Sequence, residues 1–216
     1  MRPAAVYAPH DAPSVPIWPL AVLFVLALVA YTLPWIAGSG VGLTFGGYDL
    51  AEWTSLHPAV HAQTPPFLTT LLLRLPAACA ALALVFAGCQ DMSRPRRWLL
   101  GAVTVLTAVA LLPPFEILTV AREDPNYRQQ ALLAAVTLVA GLIGASGWAR
   151  RAGRWIGLAL AVLAGAAAVA GLALGYELLA AFKLSVRLGV GGPLFVVLCA
   201  LMALWLGLND RRGSLL

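Results

Sequence analysis

The stretch IGLALAVLAGAAAVAGLAL, Ile156 to Leu174, presents no polar side chain on any helical face. A soluble helix needs a polar stripe for water, so a segment apolar all round belongs in a large core or in a bilayer. Of the 216 residues, 61% are hydrophobic and only 11% charged, which leaves too little polar surface to wrap a soluble core around such segments. The mean hydropathy of +0.88 agrees. The expected fold class is all-α, a polytopic membrane helical bundle.

About 20 apolar residues cross a bilayer as a helix. Six stretches approach that length: Ile17 to Ile36, Phe67 to Gly88, Trp98 to Ile117, Ala131 to Trp148, Trp155 to Leu174 and Pro193 to Leu208. The last is short, so it is expected to begin nearer Val186 or to sit where the bilayer is thinned. Residues 1–16 are proline-rich and read as a disordered cytoplasmic lead-in, 17–208 as the six-helix domain, and 209–216 as a cytoplasmic tail. The first apolar run exceeds a typical signal-peptide core and follows a single basic residue, Arg2, so it reads as a retained span.

Arginine placement gives the expected orientation. Arg94, Arg96, Arg97, Arg150, Arg151, Arg154, Arg211 and Arg212 fall in alternate connections and the tail, on the side of Arg2; the other side holds Arg122, Arg128, Lys183 and Arg187. By the positive-inside rule both termini face the cytoplasm, in a cell-membrane protein. Trp35, Trp98, Trp148, Trp155 and Trp205 lie near span ends, where indole rings suit the headgroup zone. The basic residues thus report topology, and nucleic acid is not an expected partner.

Arg74, in FLTTLLLRLPAACAALALVFAG, is the most informative charge. Starting a span after it leaves too few residues to cross, so it must lie in the membrane, roughly 10 Å below the outer end of its helix. A charge at that depth costs about 2.5 to 3.5 kcal/mol and takes a partner or a wet cavity. Glu116 is the expected partner, with Glu177 and Asp49 as alternates. Pro76, two residues on, removes a backbone donor and frees the Leu72 carbonyl. Arg74, Glu116, Glu177 and Asp49 are therefore the candidate binding residues, and the structural alternative is an ion pair that fixes helix packing.

Other signals are weaker. His57 and His61 have i, i+4 spacing that could serve a metal or haem, but Pro58 stands between them and no third ligand is near. No metal or haem cofactor is expected, and lipid is the one ligand class left open. The motifs GYDLA, PFEIL and GYELL share an aromatic–acid–aliphatic pattern and raise the idea of three repeated helical hairpins. REDPNY reads as a hydrated turn, and YELLAAFKLSVRLG and FGGYDLAEWTSL as interfacial amphipathic stretches. Glycines 141, 144 and 147, then Gly157, Ala161, Gly165, Gly171 and Gly175, mark close helix contacts. Cys79, Cys89 and Cys199 read as buried space-fillers.

No phosphate-binding glycine loop, zinc-protease, nucleophile-elbow or C-x-x-C motif is present. The expectation is a non-catalytic membrane protein, an accessory or scaffold subunit that meets other membrane subunits or copies of itself. The alternative is a small-solute or lipid transporter with its site around Arg74.

Overall fold

The structure, a computed structural model, describes residues 17–38, 43–89, 93–118, 122–181 and 185–208. The element order is α1 (Trp18–Thr32), β1 (Ile36–Gly38), β2 (Thr44–Phe45), α2 (Gly47–Ser55), α3 (Pro58–His61), α4 (Leu68–Gly88), α5 (Arg94–Ala110), a 3-10 turn (Phe115–Leu118), α6 (Pro125–Ser146), α7 (Gly153–Ala181), β3 (Val186–Leu188) and α8 (Gly191–Leu208). Among the described residues, α4, α6, α7 and α8 are long and apolar enough to cross a membrane. At about 1.5 Å per residue, α1 and α5 reach roughly 23 and 26 Å, short of a 30 Å hydrocarbon core.

Each expected span overlaps a helix, but the boundaries move for identifiable reasons. Pro113 and Pro114 stop α5 well before Ile117. Asp124 caps α6 by accepting from the Asn126 and Tyr127 amides, with Pro125 in the first turn, so this helix starts six residues before Ala131. The segment near Val186 is a strand rather than the start of α8. Arg187 accordingly lies in β3, not on an amphipathic helix, and Lys183 lies outside the described residues along with segments 1–16 and 209–216.

The central helix is α4. Of its apolar window 78% is buried, against 33 to 39% for the other three long helices. It packs most extensively on α7 and also touches α1, α2, α5 and α6, while α8 closes the bundle between α7 and α1. A stripe of α7, Gly157, Ala161, Ala164, Ala168, Gly171 and Gly175, is buried, its members spaced alternately four and three residues apart and the last of them lying against Leu50 of α2. Gly157 lies against Ala83 and Ala87, and Gly171 against the backbone of Leu72 and Leu73. The carbonyl freed by Pro76 is thus covered by a glycine of the neighbouring helix. Gly165 faces α8 instead, at Cys199, and Gly141 meets Thr104 of α5.

At the arginine-rich end, two helix C-termini are capped from neighbouring helices. Arg97, buried near the start of α5, donates from Nη1 to the Ser146 carbonyl at 3.2 Å, the last residue of α6. Arg154, in the first turn of α7, donates from Nε to Leu206 O at 2.7 Å and from Nη2 to Gly207 O at 3.2 Å, near the end of α8. A cation beside exposed C-terminal carbonyls satisfies them and complements the helix dipole. Gly147, which follows α6, has φ +81°, and a Cβ there would run into the Arg97 guanidinium. Gly147→Ala is expected to lower stability by about 2 kcal/mol, from left-handed strain plus the displaced cap. Thermal denaturation in mild detergent reads this, with Gly207→Ala as control, since a Cβ there meets nothing within 4 Å.

The opposite end is closed by short elements. The three strands form an antiparallel sheet in the order β2-β1-β3, with Ile36 opposite both Phe45 and Leu188. Trp35, expected at the headgroup zone, is fully buried here; its Nε1 donates to Ala30 O at 3.1 Å and its ring packs on Tyr31 and Phe195. The three motifs of the suggested repeat occupy different local structures. GYDLA opens α2, PFEIL forms the 3-10 turn, and GYELL continues the last turns of α7.

Candidate functional site

The polar centre of the molecule forms where α2 folds back over the N-terminal ends of α4 and α6. Its geometry follows from two i, i+4 pairs: Tyr48 and Glu52 on α2, and Asn126 and Gln130 on α6. That spacing puts each pair on one helix face. Arg74 of α4 reaches between the two faces.

Arg74 is 1% exposed and makes two short contacts. Its Nη2 donates to Glu52 Oε1 at 2.8 Å, and its Nη1 donates to Asn126 Oδ1 at 2.8 Å. Gln130, fully buried, donates from Nε2 to the Tyr48 hydroxyl at 3.0 Å. Tyr31 of α1 donates to the Leu73 carbonyl at 2.8 Å, so α1 is tied to α4 one residue before the arginine. Among the described residues, Arg74 Nε and Gln130 Oε1 are buried with no hydrogen-bond partner. The Tyr48 phenol is pushed above its usual pKa, by burial first and the adjacent Glu52 carboxylate second. Tyr48 therefore stays neutral and serves as an acceptor for Gln130.

Arg74 is buried within an apolar helix long enough to cross a membrane, and the acid beside it is not one of the three expected partners. Among the described side chains Glu52 carries the ion pair, and Glu177 and Asp49 do not. Asp49 is one turn away on α2, exposed, accepting from the Gly46 amide at 3.3 Å. Glu177 is exposed near the end of α7, which at 29 residues runs about 43 Å and carries that turn past the depth of Arg74. Glu116 lies on the 3-10 turn, its side chain outside the described residues. The REDPNY segment is only partly a hydrated turn, because Asn126 is buried and bonds the arginine.

A cavity of about 540 Å³ opens beside this cluster, reached by Glu52, Asp49, Asn126, Trp53, Tyr127 and Phe67 among others. Its wall mixes carboxylates with aromatic rings. His61 also lines it, with Nε2 donating to Ser55 O at 3.1 Å and the ring packed 4.5 Å from Phe67. His57 Nδ1 accepts from the Ala59 amide at 2.9 Å and caps α3. The two imidazoles are thus engaged with backbone, and among the described residues no group of three His, Cys, Asp or Glu side chains is placed to hold a metal ion.

Glu52 was hidden from sequence reasoning by its position in a long connection, 22 residues before its partner. Two i, i+4 polar pairs and a lone arginine in an apolar run were the available signal. Against known proteins, no family model, no curated protein and no solved structure matches the chain.

Proposed function

We propose that the chain is a non-catalytic structural subunit of a membrane assembly, holding other membrane proteins or further copies of itself. The observation that carries this reading is the internal use of the Arg74 charge: Nη1 and Nη2 bond Asn126 and Glu52, with the side chain 1% exposed. A guanidinium spent on Glu52 and Asn126 locks three helices together and offers little to a solute. The apolar faces of α5 to α8 remain open, with Leu106, Val136, Val162 and Leu204 all more than half exposed, suited to lipid or to neighbouring helices.

In this reading six helices cross the membrane, α1 and α5 doing so with local thinning, and both termini lie in the cytoplasm. Gentle extraction from native membranes, followed by size separation and quantitative mass spectrometry, is expected to give either a partner in fixed ratio or a defined homo-oligomer. A lone monomer from several detergents would overturn it.

The cavity beside Glu52 favours a second reading, a transporter of small solutes with its site in the outer half of the bundle. Asp49→Asn separates the two, because it changes the cavity's charge without touching the Arg74–Glu52 pair. Altered solute uptake supports the second reading, and unchanged uptake with intact assembly supports the first.

A further inference from the structure

A groove runs between α5 and α6, away from the Arg74 cluster. Its upper part is a cavity of about 450 Å³ lined by Leu112, Pro114, Phe115, Arg122, Arg128 and Ala131 among others. Its lower part, about 230 Å³, shares Leu112 and Ala131 and continues down both helices. On the α5 side the walls are Val105 and Val109, with Leu112 two residues past the helix end, and on α6 they are Ala131, Ala135 and Leu138. Both sets follow i, i+4, i+7, so each is one stripe, and the stripes flank one slot.

Everything in the slot is apolar and everything charged is at its mouth. From Leu112, just past the end of α5, to Val105 the chain descends about 10 Å, comparable to the depth of one leaflet's upper acyl segment. Arg122 and Arg128 border the upper cavity, and Phe115 beside them is 88% exposed, an aromatic ring suited to the headgroup level. Arg128 has an ion pair with Glu123 at 3.2 Å, but both side chains are well exposed, 63% and 80%, so the pair is weak and a phosphate can displace it. A second copy of the chain fits poorly, because it would bring its own arginine pair against this one across an apolar seam.

We propose that this groove holds an anionic phospholipid, its phosphate on Arg122 and Arg128 and one acyl chain between α5 and α6. Two guanidiniums at a membrane surface match a phosphate oxyanion, and the slot below matches a hydrocarbon tail. The site is independent of the ion pair at Arg74 and of whichever partners the bundle binds.

The test uses the full chain in nanodiscs of phosphatidylcholine with or without phosphatidylglycerol, read by thermal stability and by native mass spectrometry of retained lipid. Phosphatidylglycerol is expected to stabilise the protein and to be retained over phosphatidylcholine. R122Q/R128Q should weaken phosphatidylglycerol binding about thirtyfold, or about 2 kcal/mol, for two lost surface charges. Ala135→Phe, which fills the slot from an exposed position and leaves both arginines, should weaken it as well. Equal retention of the two lipids, undiminished selectivity in R122Q/R128Q, or tight binding unaffected by Ala135→Phe would each overturn the proposal. So would equal stabilisation by soluble glycerol phosphate, which carries the headgroup chemistry without a chain.

Discussion

Replacing Glu52 with alanine is expected to destabilise the protein by about 3 kcal/mol. The loss comes from what remains behind. Arg74 keeps its charge at 1% exposure with one amide oxygen as its strongest contact, and an uncompensated buried guanidinium is what breaking such a pair leaves. Glu52 itself is 37% exposed, which holds the estimate at the low end of the 3 to 5 kcal/mol typical of buried pairs. The double change Arg74→Met with Glu52→Gln removes both charges together and should cost distinctly less than Glu52→Ala alone. Denaturation of the purified protein in mild detergent, across the cycle of Arg74→Met, Glu52→Gln and the double change, measures the coupling. A cycle showing no coupling would mean that the 2.8 Å contact contributes nothing to stability.

The second large effect is expected at Gly171. A Cβ at this position would lie 2.9 Å from the Leu72 carbonyl carbon and 3.0 Å from both Leu72 O and Leu73 N, all backbone atoms that no rotamer change can move aside. Gly171→Leu must therefore push α7 off α4 along their most extensive contact, at about 3 kcal/mol, the upper end of overpacking costs. Gly165→Ala on the same helix is the counter-case. Its Cβ would meet Cys199 at an ordinary 3.5 Å, so the gain in helix propensity should leave stability unchanged or raised by up to about 1 kcal/mol. Comparing the two in one thermal series separates close approach from any general intolerance of α7 to larger residues.

What could be read from the chain divides along physical lines. Apolar runs are long-range averages over about 20 residues, so the helices behind the six expected spans were visible even where their ends were not. The place of Arg74 within α4 was equally legible, because it follows from counting along one apolar run. Its partner was not, since pairing depends on α2 folding back over the bundle, a tertiary fact that hydropathy does not encode. Glu52 also sits in the most polar connection, where an acid normally signals nothing more than water.

Short strands were invisible for a related reason. Elements of two and three residues, such as Thr44–Phe45 and Val186–Leu188, are too brief for an alternating pattern to emerge. Trp35 was misplaced because a tryptophan near a span end ordinarily marks the headgroup zone, whereas here the sheet and α8 cover it. The small-residue stripe was legible as a contact, and which helix it meets had to come from the packing.

The β1–β3 pairing has a consequence for how the molecule is made. Ile36 and Leu188 are partners although about 150 residues separate them along the chain. During synthesis, β1 leaves the ribosome before any of α4 to α7 exists, and its outer neighbour arrives only with the connection into α8. The lid over the bundle can therefore close only after the penultimate helix is inserted, and until then α1 is held by neither the strand nor α8. Over that interval α1 can pack only on the earlier α2 and α4, through contacts such as Tyr31 to Leu73, and the side that α8 will cover stays open through most of translation.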